Sequence, residues 1–148
     1  MCGIAGFSGR YPVDETKMRW LIAMNENRGS HSTGVFTISS DKNKTETLFK
    51  TIDKAENIDM LPETRDAIRG ATAVIAHTRA ATWGALNKDN AHPFMFGEKG
   101  NMKKDSRVVG VHNGFVIQEL VKKYGFEKPF DVDSMLIFAY LAKNGGDY

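Results

Sequence analysis

The chain of 148 residues carries a single cysteine, Cys2, and so holds no internal disulfide framework. That suits a reducing compartment. No apolar run is long enough to span a bilayer, and the N-terminus lacks the basic and apolar regions of a signal peptide. Together these absences predict a cytoplasmic protein. Neither sign of charge dominates: 20 Lys and Arg stand against 18 Asp and Glu, a formal net charge of +2. The basic residues are scattered, which gives no electrostatic case for nucleic acid or an anionic membrane. Repeats and low-complexity segments are lacking. The four histidines, at 31, 77, 92 and 112, have no metal-ligand spacing such as His-x3-His, and zinc needs three or four convergent ligands. Neither a metal nor a cofactor is expected.

What remains is an ordinary globular composition, 41% hydrophobic and 26% charged, at a length that suits one domain with one core. Residues 2–7 read as a strand. Asp14 is placed to cap a helix reaching about Asn27, with Met18, Leu21, Ile22 and Met24 as its apolar face. Alternation over Thr33–Ser39 and Thr45–Ile52, split by the polar Asp41–Lys44, predicts a hairpin. Pro62 begins a short helix that stops at Gly70. Thr72–Ala76, Phe94–Phe96 and Arg107–His112 read as strands, and Val116–Tyr124 as a helix ended by Gly125. A last helix, capped by Asp131 or Asp133, runs to about Lys143. This order is α+β rather than a regular βαβ alternation.

The chemistry-bearing stretch is Met1-Cys2-Gly3-Ile4-Ala5-Gly6-Phe7. A small second residue favours removal of Met1, which would leave a thiol and a free α-amine on one residue. A thiol titrates near pH ~8.5 and an α-amine near ~7.7–8.0. Nucleophile and base then sit together without a histidine. A lone cysteine is otherwise a small buried hydrophobe.

Four further stretches stand out. Asn27-Arg28-Gly29-Ser30-His31-Ser32-Thr33-Gly34 is a Gly/Ser loop between helix and strand. His77-Thr78-Arg79-Ala80-Ala81-Thr82-Trp83-Gly84 places an arginine at a strand end, where it can hold a carboxylate by two parallel hydrogen bonds or form a structural ion pair. Val109-Gly110-Val111-His112-Asn113-Gly114 runs a strand into an Asn-Gly turn. Asp131-Val132-Asp133-Ser134 offers two carboxylates at a helix start, either an ordinary cap or a ligand site.

In order and approximate spacing these stretches resemble the class II, N-terminal nucleophile (Ntn) glutamine amidotransferases, whose domain opens with Cys-Gly-Ile. The resemblance runs from Cys2 to the last helix. It implies a four-layer αββα sandwich, one glutaminase domain over residues 1–148, and L-glutamine as substrate. It also implies roles. Cys2 attacks the glutamine side-chain amide, and Asn113 with Gly114 forms the oxyanion hole. Arg79 and Thr82 hold the substrate carboxylate, and Asp133 (or Asp131) its ammonium. Trp83 stands at the pocket rim, Arg28 belongs to the same set, and Asn90-Ala91-His92-Pro93 is expected to be supporting structure. Two positions depart from the family pattern: His31 replaces an aspartate and Met135 a glutamate.

The family's domain continues beyond the last helix with strands that complete its second sheet. The chain is therefore expected to be a fragment, a split subunit completed by a partner chain or synthase domain, or an unusually small version. Apolar surface is expected near the last helix. Two other readings stand beside the enzyme: a catalytically silent binding or regulatory module, and a structural subunit of an assembly.

Overall fold

The computed structural model describes residues 1–40, 46–58, 61–97, 108–117, 121–126 and 130–144. Four strands form one sheet: β1 (Gly3–Ser8), β2 (Ser32–Ser39), β3 (Glu46–Thr51) and β4 (Ala71–Arg79). Their order is β1-β4-β2-β3, and every neighbouring pair is antiparallel. A second, two-stranded antiparallel sheet pairs β5 (Phe94–Phe96) with β6 (Val108–Gly110). The described elements are thus mixed α and β with antiparallel sheets.

Side chains alternate across a strand, so the register separates two faces of the larger sheet. Ala5, Val35, Val74 and Ala76 share one face and pack with Met18 and Ile22 of α1 (Glu15–Met24), Ala55 of α2 (Ala55–Ile58) and Ile68 of α3 (Pro62–Ile68). Ile22 and Ile68 are fully buried, and burial of each contributes about 1.5–3 kcal/mol. The opposite face carries a row crossing all four strands: Ile4, His77, Gly34 and Lys50. Gly34 is required there, because a Cβ would overlap the His92 carbonyl oxygen. The missing side chain makes the slot in which the His92 segment lies against the sheet. Beyond it, β5 and α4 (Met135–Lys143) build a second core from Phe94, Phe96, Met135, Phe138 and Ala139.

Several elements differ from the sequence expectations. α1 is capped by Asp14, whose carboxylate accepts from the Lys17 N–H at 3.0 Å, but it passes into a 3-10 turn at Asn25–Arg28. Only Met18 and Ile22 face inward, while Leu21 and Met24 are exposed with Trp20. β4 extends past Ala76 to Arg79, because His77, Thr78 and Arg79 all pair with β2 and are buried. No helix forms in the described parts of Val116–Tyr124: residues 111–117 are irregular and Val121–Gly125 is a turn. The remainder of that stretch, and the polar turn Asp41–Lys44, lie outside the described residues. Neither Asp131 nor Asp133 caps the last helix. Ser134 occupies that position, and its side chain makes no capping bond. Phe115 and Ile117 are exposed on either side of Val116, which is bonded to Asp133 just ahead of α4.

Candidate active site

Cys2 sits immediately before β1, and β1 lies beside the C-terminal end of β4. Its Sγ therefore meets the backbone that follows Arg79, accepting from the Ala80 N–H at 3.4 Å and lying 3.8 Å from the Ala80 carbonyl. Two side chains fix its main chain. Asn113 binds it twice, Oδ1 accepting from the Cys2 N–H at 3.3 Å and Nδ2 donating to the Cys2 carbonyl at 3.1 Å. Arg28 Nε donates to the same carbonyl at 3.1 Å.

The thiol opens onto a narrow cleft with a free volume of about 30 Å3, bordered by Arg79, Thr82, Trp83, Gly114 and Asp133. Arg79 is buried and donates to the carbonyls of Trp83 and, at 3.3 Å, Ala85. It thereby shapes the loop that leaves β4. Burial pushes its pKa down, and the nearby charges of Cys2 and Asp133 oppose that shift. Trp83 stands 57% exposed at the rim. Asp133 is buried; its Oδ2 accepts from the Val116 N–H at 2.7 Å and its Oδ1 from Ser134 Oγ at 3.5 Å. Of the two candidate carboxylates, Asp133 borders the cleft, while Asp131 is exposed and does not.

Asn113 and Arg28 do not border the cleft themselves; both act on the Cys2 backbone. His31, where the resemblance leads one to expect an aspartate, accepts from the Ala81 N–H through Nδ1 at 2.8 Å, and so fixes the loop next to the thiol. Met135, where the resemblance leads one to expect a glutamate, is buried in the second core.

Three polar side chains given no catalytic or substrate-binding role in the sequence also border the cleft: His92, His112 and Ser134. The His92 ring lies over His77 at 4.1 Å, with 33° between the planes, and packs at a tilt of 49° against Phe94 at 4.3 Å. Burial drives the His77 pKa down to about 4, against a hydrogen bond to the His112 carbonyl that raises it. Burial, with the charges of His77, Arg79, Lys50 and His112, drives His92 down to about 2. The His77 and His92 rings are therefore both neutral at ordinary pH. His77 and His92 were visible in the sequence only as separate motif histidines, and their stacking depends on the Gly34 slot.

Among the described residues, no group of His, Cys, Asp or Glu could hold a metal ion, and no helix is long and apolar enough to cross a membrane.

A family profile described as glutamine amidotransferases class-II matches residues 15–144. The chain is 32% identical over 143 residues to a glutamine--fructose-6-phosphate aminotransferase [isomerizing] of Shewanella oneidensis, covering 93% of this chain and 21% of that protein. It is 31% identical over 148 residues to a protein of the same name from Rhizobium meliloti, covering 97% of this chain and 22% of that one. A Streptococcus agalactiae relative is 33% identical over 116 residues, 78% of this chain and 17% of its own length. The chain thus spans about a fifth of the length of the curated relatives it matches. With the profile matching most of its residues and a thiol, a guanidinium and a carboxylate meeting in one cleft, the chain belongs to the class II glutamine amidotransferases.

Proposed function

We propose that this chain hydrolyses the side-chain amide of L-glutamine to glutamate and ammonia, with Cys2 as the nucleophile. The observation that carries the reading is convergence: Cys2, Arg79, Gly114 and Asp133 border one cleft although they lie far apart in sequence. Removal of Met1 turns the Cys2 nitrogen into an amine, which Asn113 Oδ1 is already placed to hold. That amine takes the thiol proton through one water, and the thiolate attacks the amide carbon. An amide NH2 carries two hydrogens. One Asn113 Nδ2 hydrogen holds the Cys2 carbonyl; the other, with the Gly114 N–H, meets the oxyanion once bound glutamine has widened the cleft as far as Asn113. As the C–N bond breaks, the Cys2 ammonium gives its proton to the departing ammonia. Water then attacks the thioester, the amine takes its proton, and glutamate leaves as the thiol is restored.

Arg79 and Thr82 bind the substrate carboxylate and Asp133 its ammonium, so a ligand lacking either end leaves a cleft charge unpaired. Trp83 closes over the substrate. Because the free volume is about 30 Å3, room for one or two waters, glutamine enters as the exposed Thr82–Leu86 loop gives way. Residues 1–148 act as one glutaminase domain of the four-layer αββα type. Helices on one face of the larger sheet and α4 beyond the smaller one support that layering. The relatives carry fructose-6-phosphate aminotransferase names, so an ammonia acceptor of that class, on a partner chain or synthase domain, is the reading extended to this chain.

A silent binding module is the second reading. It is favoured by the Asn113 side chain, which spends both its ends on the Cys2 backbone. One experiment separates the two. Protein with Met1 removed is incubated with a glutamine-mimicking diazo-ketone and weighed by mass spectrometry, alongside a glutamine turnover assay. A single adduct on Cys2 with turnover is expected. A free N-terminal cysteine that neither labels nor turns over would establish the silent module.

A further inference from the structure

The geometry points to Ser134 and His112 as positioning residues that brace the Asn113–Gly114 corner against the carboxylate of Asp133. The inference rests on the reading above, in which that corner holds the oxyanion and Asp133 the substrate ammonium. The corner lies in residues 111–117, which form neither helix nor strand, so no ladder of backbone bonds fixes it. Contacts on both sides do so instead. Ahead of it, His112 Nδ1 lies 2.9 Å from Ser134 Oγ, and the His112 carbonyl lies 3.3 Å from His77 Nε2. After it, the Val116 N–H donates to Asp133 Oδ2 at 2.7 Å. The imidazole also backs directly onto the corner: a Cβ at Gly114 would lie 2.6 Å from His112 Nε2. Gly114 is thus the residue that lets ring and corner touch.

The directions of these bonds agree. Asp133 Oδ1 draws the Ser134 hydroxyl proton across 3.5 Å, leaving Ser134 Oγ to accept from His112 Nδ1–H. Neutral His77 supplies the Nε2–H for the His112 carbonyl. Ser134 also forgoes a more ordinary use. A serine at a helix N-cap usually accepts from the first turn of the helix, yet this one makes no capping bond and its hydroxyl faces His112. Both Ser134 and Asp133 are buried, where a bond left unmade is costly. One carboxylate therefore touches both ends of the chemistry. It faces the cleft where the ammonium would sit, and through Val116 and Ser134–His112 it sets where the oxyanion donors stand.

The test compares Ser134→Ala with Ser134→Thr, which keeps the hydroxyl, in protein with Met1 removed. Ser134→Ala is expected to lower kcat for glutamine about five- to tenfold and to leave KM within about twofold, and Ser134→Thr to recover most of the loss. A merely structural serine would instead shift the thermal transition and leave kcat alone. That outcome, or a threonine variant no better than alanine, overturns the inference. Hydrogen–deuterium exchange without substrate gives a second arm that does not depend on turnover. Amides of residues 110–117 are expected to exchange faster in Ser134→Ala than in wild type, and unchanged exchange overturns the brace. Should Ser134→Ala fail to fold, His112→Leu against His112→Asn, which retains a donor near the Nδ1 position, reads the same contrast. A wild-type protein without glutamine turnover would instead refute the proposed function, with the exchange arm still deciding the brace.

Discussion

Acid should unfold this protein through two stacked histidines. His77 and His92 are 1% and 3% exposed, their rings lie 4.1 Å apart, and Arg79 and Lys50 stand close by. Burial holds their pKa values at about 4 and about 2 in the fold, against about 6.5 for an exposed histidine. The unfolded chain therefore binds more protons, and stability rises with pH. The contribution is fully present above pH ~6.5 and is lost as pH falls, through about 4 for His77 and about 2 for His92. At pH 5 both rings are still essentially neutral in the fold, so their shares add. Each costs about 2 kcal/mol, from roughly 1.5 pKa units at 1.36 kcal/mol per unit, or about 4 kcal/mol for the pair. That is a large part of a typical 5–15 kcal/mol stability. Urea unfolding followed by tryptophan fluorescence at pH 8 and pH 5 measures it, in wild type and in His92→Gln. Between the two pH values, the wild type should lose about 2 kcal/mol more than the variant. Other titrating groups cancel in that difference. Equal losses in the two proteins would show that His92 charges freely in the fold, and the burial argument would fail.

Other perturbations probe separate parts of the site. Asn113→Ala removes both the hold on Cys2 and a proposed oxyanion donor, so kcat for glutamine should fall about 10²–10³-fold in steady-state assays. Arg79→Lys keeps the charge but loses the planar fork that holds the Trp83 and Ala85 carbonyls. Its KM should rise at least about tenfold, read by the same assay. Gly34→Ala drives a methyl into the His92 carbonyl. Calorimetry should show a destabilisation of about 1–3 kcal/mol or more, with His92 shifted out of the cleft. Cys2→Ala should abolish turnover while circular dichroism remains that of the wild type, since this half-buried side chain lies outside both hydrophobic cores.

Local patterns wrote much of this architecture legibly. Alternating residues gave β2 and β3 as a hairpin, Asp14 gave the start of α1, and Pro62 gave the start of α3. At β4 and at Asp133 a distant partner decided the outcome. Polar His77, Thr78 and Arg79 look like the end of a strand, yet they continue β4, because β2 covers them with backbone partners. Val116–Tyr124 reads as a helix, yet Val116 and Ile117 are irregular and Val121–Gly125 is a turn, with the Val116 N–H bonded to the Asp133 carboxylate 17 positions on. That same bond turns the Asp133 carboxylate away from capping α4.

The order of the motifs was enough by itself to identify the family, because each motif is a short run of neighbours whose chemistry is local. Sequence also named Cys2, Arg79 and Asp133. It could not say that Asn113 and Arg28 grip the Cys2 backbone rather than border the cleft, or that His92 lies on His77 beneath it. Those relations join residues up to 111 positions apart. They exist only once antiparallel pairing brings the start of β1 to the end of β4 and an absent side chain at Gly34 admits the second layer.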